Sequence, residues 1–382
     1  MIKRTIEQSA RMLWQQYPVV TITGPRQSGK TTLAKAVFPE CGYVNLEALD
    51  VRAEVAADPR GFLQRHSAPV IFDEIQNVPA LVSYLQEIVD EKGTPSLFIL
   101  TGSHQPALQA AITQSLAGRT ALLELLPLSI EEVASTTTAL ERDKLLYTGF
   151  MPRAYHSQIQ PQRLYADYFK TYVERDIRQL ANLKNLNLFE TFLRLLAGRI
   201  GQVLNLNSLA TDVGVSSTTI KEWLSLLETS YIITILHPYY RNFGKRFIKA
   251  PKVYFVETGL AAYLLGIRSE KQIATHPLVG NLFENMIVVD LLKQRLNQGL
   301  APDMYYMRTS NGVEVDVVQE NEGKLDLYEI KSGATFNKEM AKNLLTLRAT
   351  IGDEIGLQTV IYAGHTASLA EGIQYKNFKD RC

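Results

Sequence analysis

A chain of 382 residues is long enough for two or three domains, each with its own core. Hydrophobic residues at 46% and charged residues at 21% are ordinary globular proportions and exclude a disordered or fibrous protein. The net charge of +1 neither demands nor excludes nucleic acid, and Cys41 and Cys382 offer no disulfide framework and no metal spacing, so a reducing cytoplasm is expected.

The opening stretch, MIKRTIEQSARMLWQQYP, lacks the apolar core of a signal peptide, and no apolar run approaches bilayer length, so no membrane association is expected. Ile6, Ala10, Leu13 and Trp14 recur at helical spacing over residues 4–16, and Pro18 marks the end. Short apolar runs then alternate with helical stretches: Val19–Thr23, Tyr43–Leu46, Val70–Phe72, Leu97–Leu100 and Ala121–Leu125. Strands buried on both faces read this way, so the first third predicts a parallel α/β sheet covered by helices.

Between the first strand and a helical run carrying Leu33, Ala34 and Val37 lies GPRQSGKT (24–31), which fills G-x-x-x-x-G-K-[ST] completely. Gly24, Pro25, Arg26, Gln27, Ser28, Gly29, Lys30, Thr31 and Thr32 are the predicted ATP-binding residues. Backbone amides would wrap the phosphates, with a helix N-terminus behind them. Lys30 would reach the β- and γ-phosphates, and the Thr31 hydroxyl would bind Mg²⁺. VIFDE (70–74) supplies the second half: a buried strand delivers Asp73 to its carboxyl end, where it would hold Mg²⁺, and Glu74 would polarise the attacking water. At the next strand end, Thr101 and Ser103 are the hydroxyls that could sense the γ-phosphate, with Ser103 preferred and a turn-capping role the alternative. Arg119, just before the fifth strand, is a candidate arginine finger for a neighbouring subunit or else a solvated charge.

These motifs carry a family resemblance. GPRQSGKTT (24–32), FDEIQ (72–76), LTGS (100–103), LAGR (116–119), GFMP (149–152) and ERDI (174–177) resemble those of bacterial and archaeal AAA-type ATPases whose C-terminal half is a domain of unknown function. The resemblance covers most of the chain. It implies an AAA+ core, a small helical lid and self-association into a ring, a hexamer being one candidate form, with the finger acting in trans. It supplies no substrate.

Residues 130–200 read as mainly helical. LNSLATDVGVSSTTIKEWLSLLE (206–228) then reads as two helices around a turn at Gly214, with Ser216 or Ser217 capping the second. Ile220, Trp223, Leu224 and Leu227 would face the core, leaving Thr218, Thr219, Lys221 and Glu222 outward, where a recognition helix meets a DNA groove. From Thr229 to Val256 there is no acidic residue, while Arg241, Lys245, Arg246, Lys249 and Lys252 lie in or beside a predicted hairpin. That hairpin would be a wing meeting DNA phosphates, or a surface for protein contact.

The last 110 residues predict a helix over 278–296 and strands over Val313–Val318 and Leu325–Ile330. Glu284 on the helix, Asp316 on one strand and Glu329 with Lys331 on the next follow an order that resembles the PD-(D/E)xK nuclease fold, including archaeal Holliday-junction resolvases. Acids at these positions would bind a divalent metal and the lysine would steady a water attacking phosphate. The alternative is a retained fold that does not cut. The expected α/β architecture is therefore an AAA+ core (1–130), a helical lid (131–200), a winged helix (201–265) and a nuclease-like domain (266–382). The expected function is ATP-dependent action on DNA, branched or broken DNA among the candidates, with ATP and Mg²⁺ as cofactors. A nucleotide switch binding a protein partner is the alternative.

Overall fold

The computed structural model describes residues 2–103, 106–137, 140–157, 159–177, 186–239, 250–309, 311–365 and 368–380. The chain divides into two compact units. One comprises Met1–Leu128 with Thr229–Tyr231 and Gln294–Ala301; the other comprises Ser129–Glu228, Ile232–Lys293 and Pro302–Cys382.

In the first unit β1 (Val19–Thr23), β2 (Gly42–Asn45), β3 (Val70–Asp73), β4 (Phe98–Thr101) and β5 (Thr120–Glu124) form one parallel sheet in the order β2-β3-β4-β1-β5. Alternation along each strand splits the core in two. Val70, Phe72, Phe98 and Leu100 face the helices Leu49–Ala57, Pro59–Arg65, Leu81–Lys92 and Pro106–Ser115. Ile71, Ile99, Val20 and Ile22 face the helices Glu7–Gln16 and Lys30–Val37. Strands sandwiched in this way have no polar side to show, which is why they read as continuous apolar runs. Phe72 is fully buried, and truncating such a side chain costs about 3–5 kcal/mol. The carboxyl ends of β1, β3 and β4 point the same way and carry the P-loop, Asp73 and Ser103.

The second unit begins with helices Ile130–Ala134, Arg142–Thr148, Pro152–His156, Pro161–Tyr168 and Leu186–Ala197. Helices Leu206–Val213 and Ser217–Thr229 follow around Gly214, and Ser216 Oγ accepts from the Thr219 amide at 3.1 Å as the predicted cap. Ile220, Trp223, Leu224 and Leu227 are buried as expected, with Trp223 packed edge-on against Phe189 at 5.2 Å.

The hairpin strands β6 (Ile233–Pro238) and β7 (Lys252–Phe255) pair antiparallel, Ile233 opposite Phe255 and Leu236 opposite Lys252. They are not a free-standing wing. β6 runs parallel to β8 (Met304–Arg308), and the sheet continues through β9 (Glu314–Asn321), β10 (Lys324–Lys331), β11 (Ile355–Tyr362), β12 (Ser368–Ala370) and β13 (Ile373–Asn377). The order is β12-β13-β11-β10-β9-β8-β6-β7, so segments 201–265 and 266–382 share one sheet. Arg241, Lys245, Arg246 and Lys249 lie outside the described residues. Among the described residues, no helix is long and apolar enough to cross a membrane.

Candidate functional site

The P-loop leaves β1 at Thr23 and enters the helix Lys30–Val37. Gly24 sits at φ 147°, and a Cβ there would lie 2.2 Å from the carbonyl oxygen of Leu125, so strand and loop can pass only with glycine at this position. Lys30 is 6% exposed, and its ammonium donates to the carbonyl oxygens of Gly24 at 3.0 Å and Pro25 at 2.8 Å. Burial lowers its pKa to about 8, against the opposing pull of Glu74 and Asp73.

Asp73 is the hub. Its carboxylate accepts from the Thr31 hydroxyl at 3.0 and 2.9 Å and from the Tyr43 hydroxyl at 2.8 Å, and Thr101 also donates to it. The pairing of Thr31 with a buried carboxylate fits a Mg²⁺ site of the kind that takes one or two protein ligands and completes its shell with phosphate and water. Glu74 follows in a left-handed conformation at φ 60°, a strained geometry for a non-glycine residue. Its carboxylate is held by the side-chain amide of Gln76. Thr101 is committed to Asp73, whereas Ser103 is 5% exposed and its hydroxyl has no hydrogen-bond partner among the described residues. Of the two, Ser103 keeps an unspent hydrogen-bonding capacity just beyond the carboxyl end of β4.

Arg119 lies at the other end of the sheet. Thr120 pairs with Val19 at the start of β1, whereas the P-loop leaves the end of that strand. Its guanidinium grips Asp90 through Nε at 2.6 Å and Nη2 at 2.9 Å. It therefore does not face its own chain's P-loop.

In the second unit, Thr218, Lys221 and Glu222 are exposed, but Thr219 is half-buried with its hydroxyl 2.9 Å from that of Ser216. Thr219 belongs to the cap rather than to the outward face.

Glu284 and Asp316 come together around a residue that the sequence placed elsewhere, and the Glu329–Lys331 pair lies near Asp316. Lys252 is 1% exposed on β7, and its ammonium lies 3.1 Å from Glu284 Oε1, against Glu314, and 3.8 Å from Asp316 Oδ1. It is therefore not among the basic residues available to DNA phosphates. Tyr254 donates to Glu284 at 2.7 Å, the Ile330 amide to Asp316 at 2.7 Å, and Lys331 to Glu329 at 2.6 Å. Arg308 meets Glu314 at 3.0 Å. Among the described residues, no three His, Cys, Asp or Glu side chains converge to hold a metal ion.

Comparison with known proteins follows this division. Residues 16–134 match the model of an AAA domain, 140–271 that of a domain of unknown function (DUF8612), and 279–378 that of another (DUF4143). The uncharacterized protein Rv2008c of Mycobacterium tuberculosis is 32% identical over 339 residues, covering 87% of this chain and 74% of the relative. Mb2031c of Mycobacterium bovis matches equally. The chain belongs to the same family as these mycobacterial proteins. It carries an AAA+ P-loop ATPase-like domain. Among solved structures, the Walker-type ATPase PABY2304 of Pyrococcus abyssi is similar at a TM-score of 0.42 and 15% identity, over 69% of this chain and 96% of that one. AMPPCP-bound DnaA from Aquifex aeolicus is similar at 0.31 and 16%, over 58% and 85%. Both likenesses are too weak to bear on function.

In and beside the AAA domain, sequence reasoning missed three residues. Tyr43 donates to Asp73 from β2. Gln76 holds Glu74, and its Oε1 is buried without a partner; a Cβ on Gly102 would lie 2.4 Å from that oxygen, so a side chain there would displace the amide. Arg4 is buried and buttresses the loop, donating to the Ser28 and Leu126 carbonyls at 2.8 Å each. Gln76 was legible as a polar residue two positions after Glu74, but Tyr43 and Arg4 lie far along the chain and carried no local signal.

In the DUF4143 part of this family member, burial and then the charge of Asp316 raise Glu284 to about 7 and Glu329 to about 8, from ordinary values of 4.5. Burial alone would lower Lys252, but Glu284, Asp316 and Glu314 outweigh it and raise its pKa. The folded chain thus holds carboxyl protons that the unfolded chain releases, so this contribution to stability is present below about pH 4.5 and is lost as pH rises towards about 8. Urea unfolding is expected to show wild type losing more stability between about pH 5.5 and about pH 8 than Glu284→Gln does. Equal losses would remove Glu284 from this account.

Proposed function

We propose that this protein binds ATP with Mg²⁺, hydrolyses it, and couples hydrolysis to DNA. The observation that carries the ATPase reading is the meeting of Lys30, the Thr31–Asp73 pair and Glu74 at the carboxyl ends of β1 and β3. Lys30 and the amides of 24–31 would bind the phosphates. Thr31 and Asp73 would hold Mg²⁺, which neutralises charge on the phosphate oxygens. Glu74, once released by Gln76, would accept a proton as water attacks the γ-phosphorus and its bond to the ADP oxygen breaks, giving ADP and phosphate.

Arg119 supports self-association. Placed away from its own P-loop, it is suited to act on a neighbour's nucleotide in a ring. Mixing Arg119→Ala with Lys30→Ala subunits should then give an activity that departs from the sum of the two alone. A monomer at every concentration, with full activity after Arg119→Ala, rules the finger out.

The DNA reading rests on exposed Thr218 and Lys221 of a capped second helix and on the basic residues Arg241, Lys245, Arg246 and Lys249. Replacing Lys245, Arg246 and Lys249 with Ala should weaken duplex binding and flatten log K against log salt by about 0.9 for each phosphate no longer neutralised. If affinity and salt slope both match the parent, the hairpin does not meet DNA. ATP hydrolysis indifferent to linear, forked and four-way DNA would favour the protein-partner switch instead.

A further inference from the structure

Asp73 sits on β3 between β2 and β4, and each of these neighbours sends one hydroxyl to its carboxylate. Tyr43 from β2 donates to Oδ2 at 2.8 Å, and Thr101 from β4 donates to Oδ1. Thr31 shares its single proton between the same two oxygens at 3.0 and 2.9 Å. Two hydroxyls from opposite sides, one per oxygen, fix the carboxylate plane while Thr31 bridges both oxygens. Thr101 is fully buried, whereas Tyr43 is 38% exposed, with the Lys35 ammonium 3.4 Å from its ring centroid. Lys35 belongs to the helix that the P-loop enters, so the phenol ring is braced by that helix as well as by β2.

Divalent ions use such a carboxylate differently. Mg²⁺ dehydrates reluctantly and keeps several waters, through which a carboxylate can meet it. Ca²⁺ gathers about six to eight oxygens and takes carboxylates directly, often by both oxygens. With Tyr43 on Oδ2 and Thr101 on Oδ1, Asp73 cannot offer an oxygen to a metal without sharing it with a hydroxyl. Resting on the ATPase reading above, we infer that Tyr43 is a positioning residue for the nucleotide's metal: its hydroxyl holds Asp73 in the setting that accepts hydrated Mg²⁺ and disfavours Ca²⁺. Thr31 and Asp73 face the metal, and Tyr43 acts on it through Asp73.

The test is the affinity of the full-length chain for a fluorescent non-hydrolysable ATP analogue, titrated in EDTA, in MgCl₂ and in CaCl₂. Wild type should bind more tightly with Mg²⁺ than in EDTA, and more tightly with Mg²⁺ than with Ca²⁺. Tyr43→Phe keeps the ring beside Lys35 and removes only the hydroxyl. It should match wild type in EDTA, lose about tenfold of the Mg²⁺-dependent gain, the worth of about one hydrogen bond, and keep or raise the Ca²⁺-dependent gain. A Tyr43→Phe chain with the wild-type ratio of Mg²⁺ gain to Ca²⁺ gain would overturn the inference. So would an equal loss in EDTA and in Mg²⁺, which marks a residue of the framework rather than of the metal. Wild type with no Mg²⁺ gain at all would remove the ATPase reading, and this inference with it.

Discussion

Lys30→Ala should abolish measurable ATP binding, while Glu74→Gln should keep ATP bound and lower turnover by about 10²–10⁴-fold. The two residues do different work. Lys30 is already buried at the loop and turned onto the Gly24 and Pro25 carbonyls, so its move to a phosphate exchanges neutral acceptors for charged ones. Each hydrogen bond to a charged group is worth about 1.5–3 kcal/mol, so losing two of them removes about 3–6 of the roughly 8 kcal/mol in a micromolar affinity. Glu74 makes no contact needed to hold phosphate, and glutamine preserves its shape while removing the basic oxygen. A fluorescent-nucleotide titration beside single-turnover hydrolysis separates the two effects. Wild-type turnover in Glu74→Gln would withdraw Glu74 from the chemistry.

Lys252→Met should cost about 3–5 kcal/mol of stability at neutral pH. Methionine keeps the length and apolar stem of the lysine but leaves the buried Asp316 and the half-buried Glu284 without it, while Glu314 keeps Arg308. Breaking one side of a buried ion cluster strands the other side, and that desolvated charge is what dominates the loss. Chemical denaturation followed by far-ultraviolet dichroism reads the change directly. The deficit should shrink on acidification, because protonated acids no longer need a cation. A variant as stable as wild type at neutral pH would mean that Lys252 is not what balances these acids.

The nucleotide site was legible because its parts are local. A P-loop is eight consecutive residues, and β1 to β5 announce themselves as apolar runs because both of their faces are covered. The cluster was legible only in part. The pairing of β9 with β10 and the shared face of Glu329 and Lys331 follow from period-two alternation. Lys252 does not, since it is 32 residues from Glu284 and meets it only where the helix Val279–Asn297 packs against β7. In sequence it reads as one more basic residue beside a hairpin. Glu314, two residues before Asp316 and on the same face, could have been found by the same alternation. β8, β11 and β13 also escaped: Leu357 and Tyr305 are not fully buried, and a strand mixing covered and open positions gives a weaker signal than β1.

The sheet that joins β7 to β9 has a bearing on inheritance. The two matched segments of unknown function end at 271 and begin at 279, yet Lys252 lies on one side of that gap and Glu284, Glu314 and Asp316 on the other. Neither segment can be shuffled onto a different partner without stranding buried charge. Across descendants of a common ancestor, loss of the lysine should therefore travel with loss of an acid. An alignment in which the lysine and the acids drift independently would contradict this linkage.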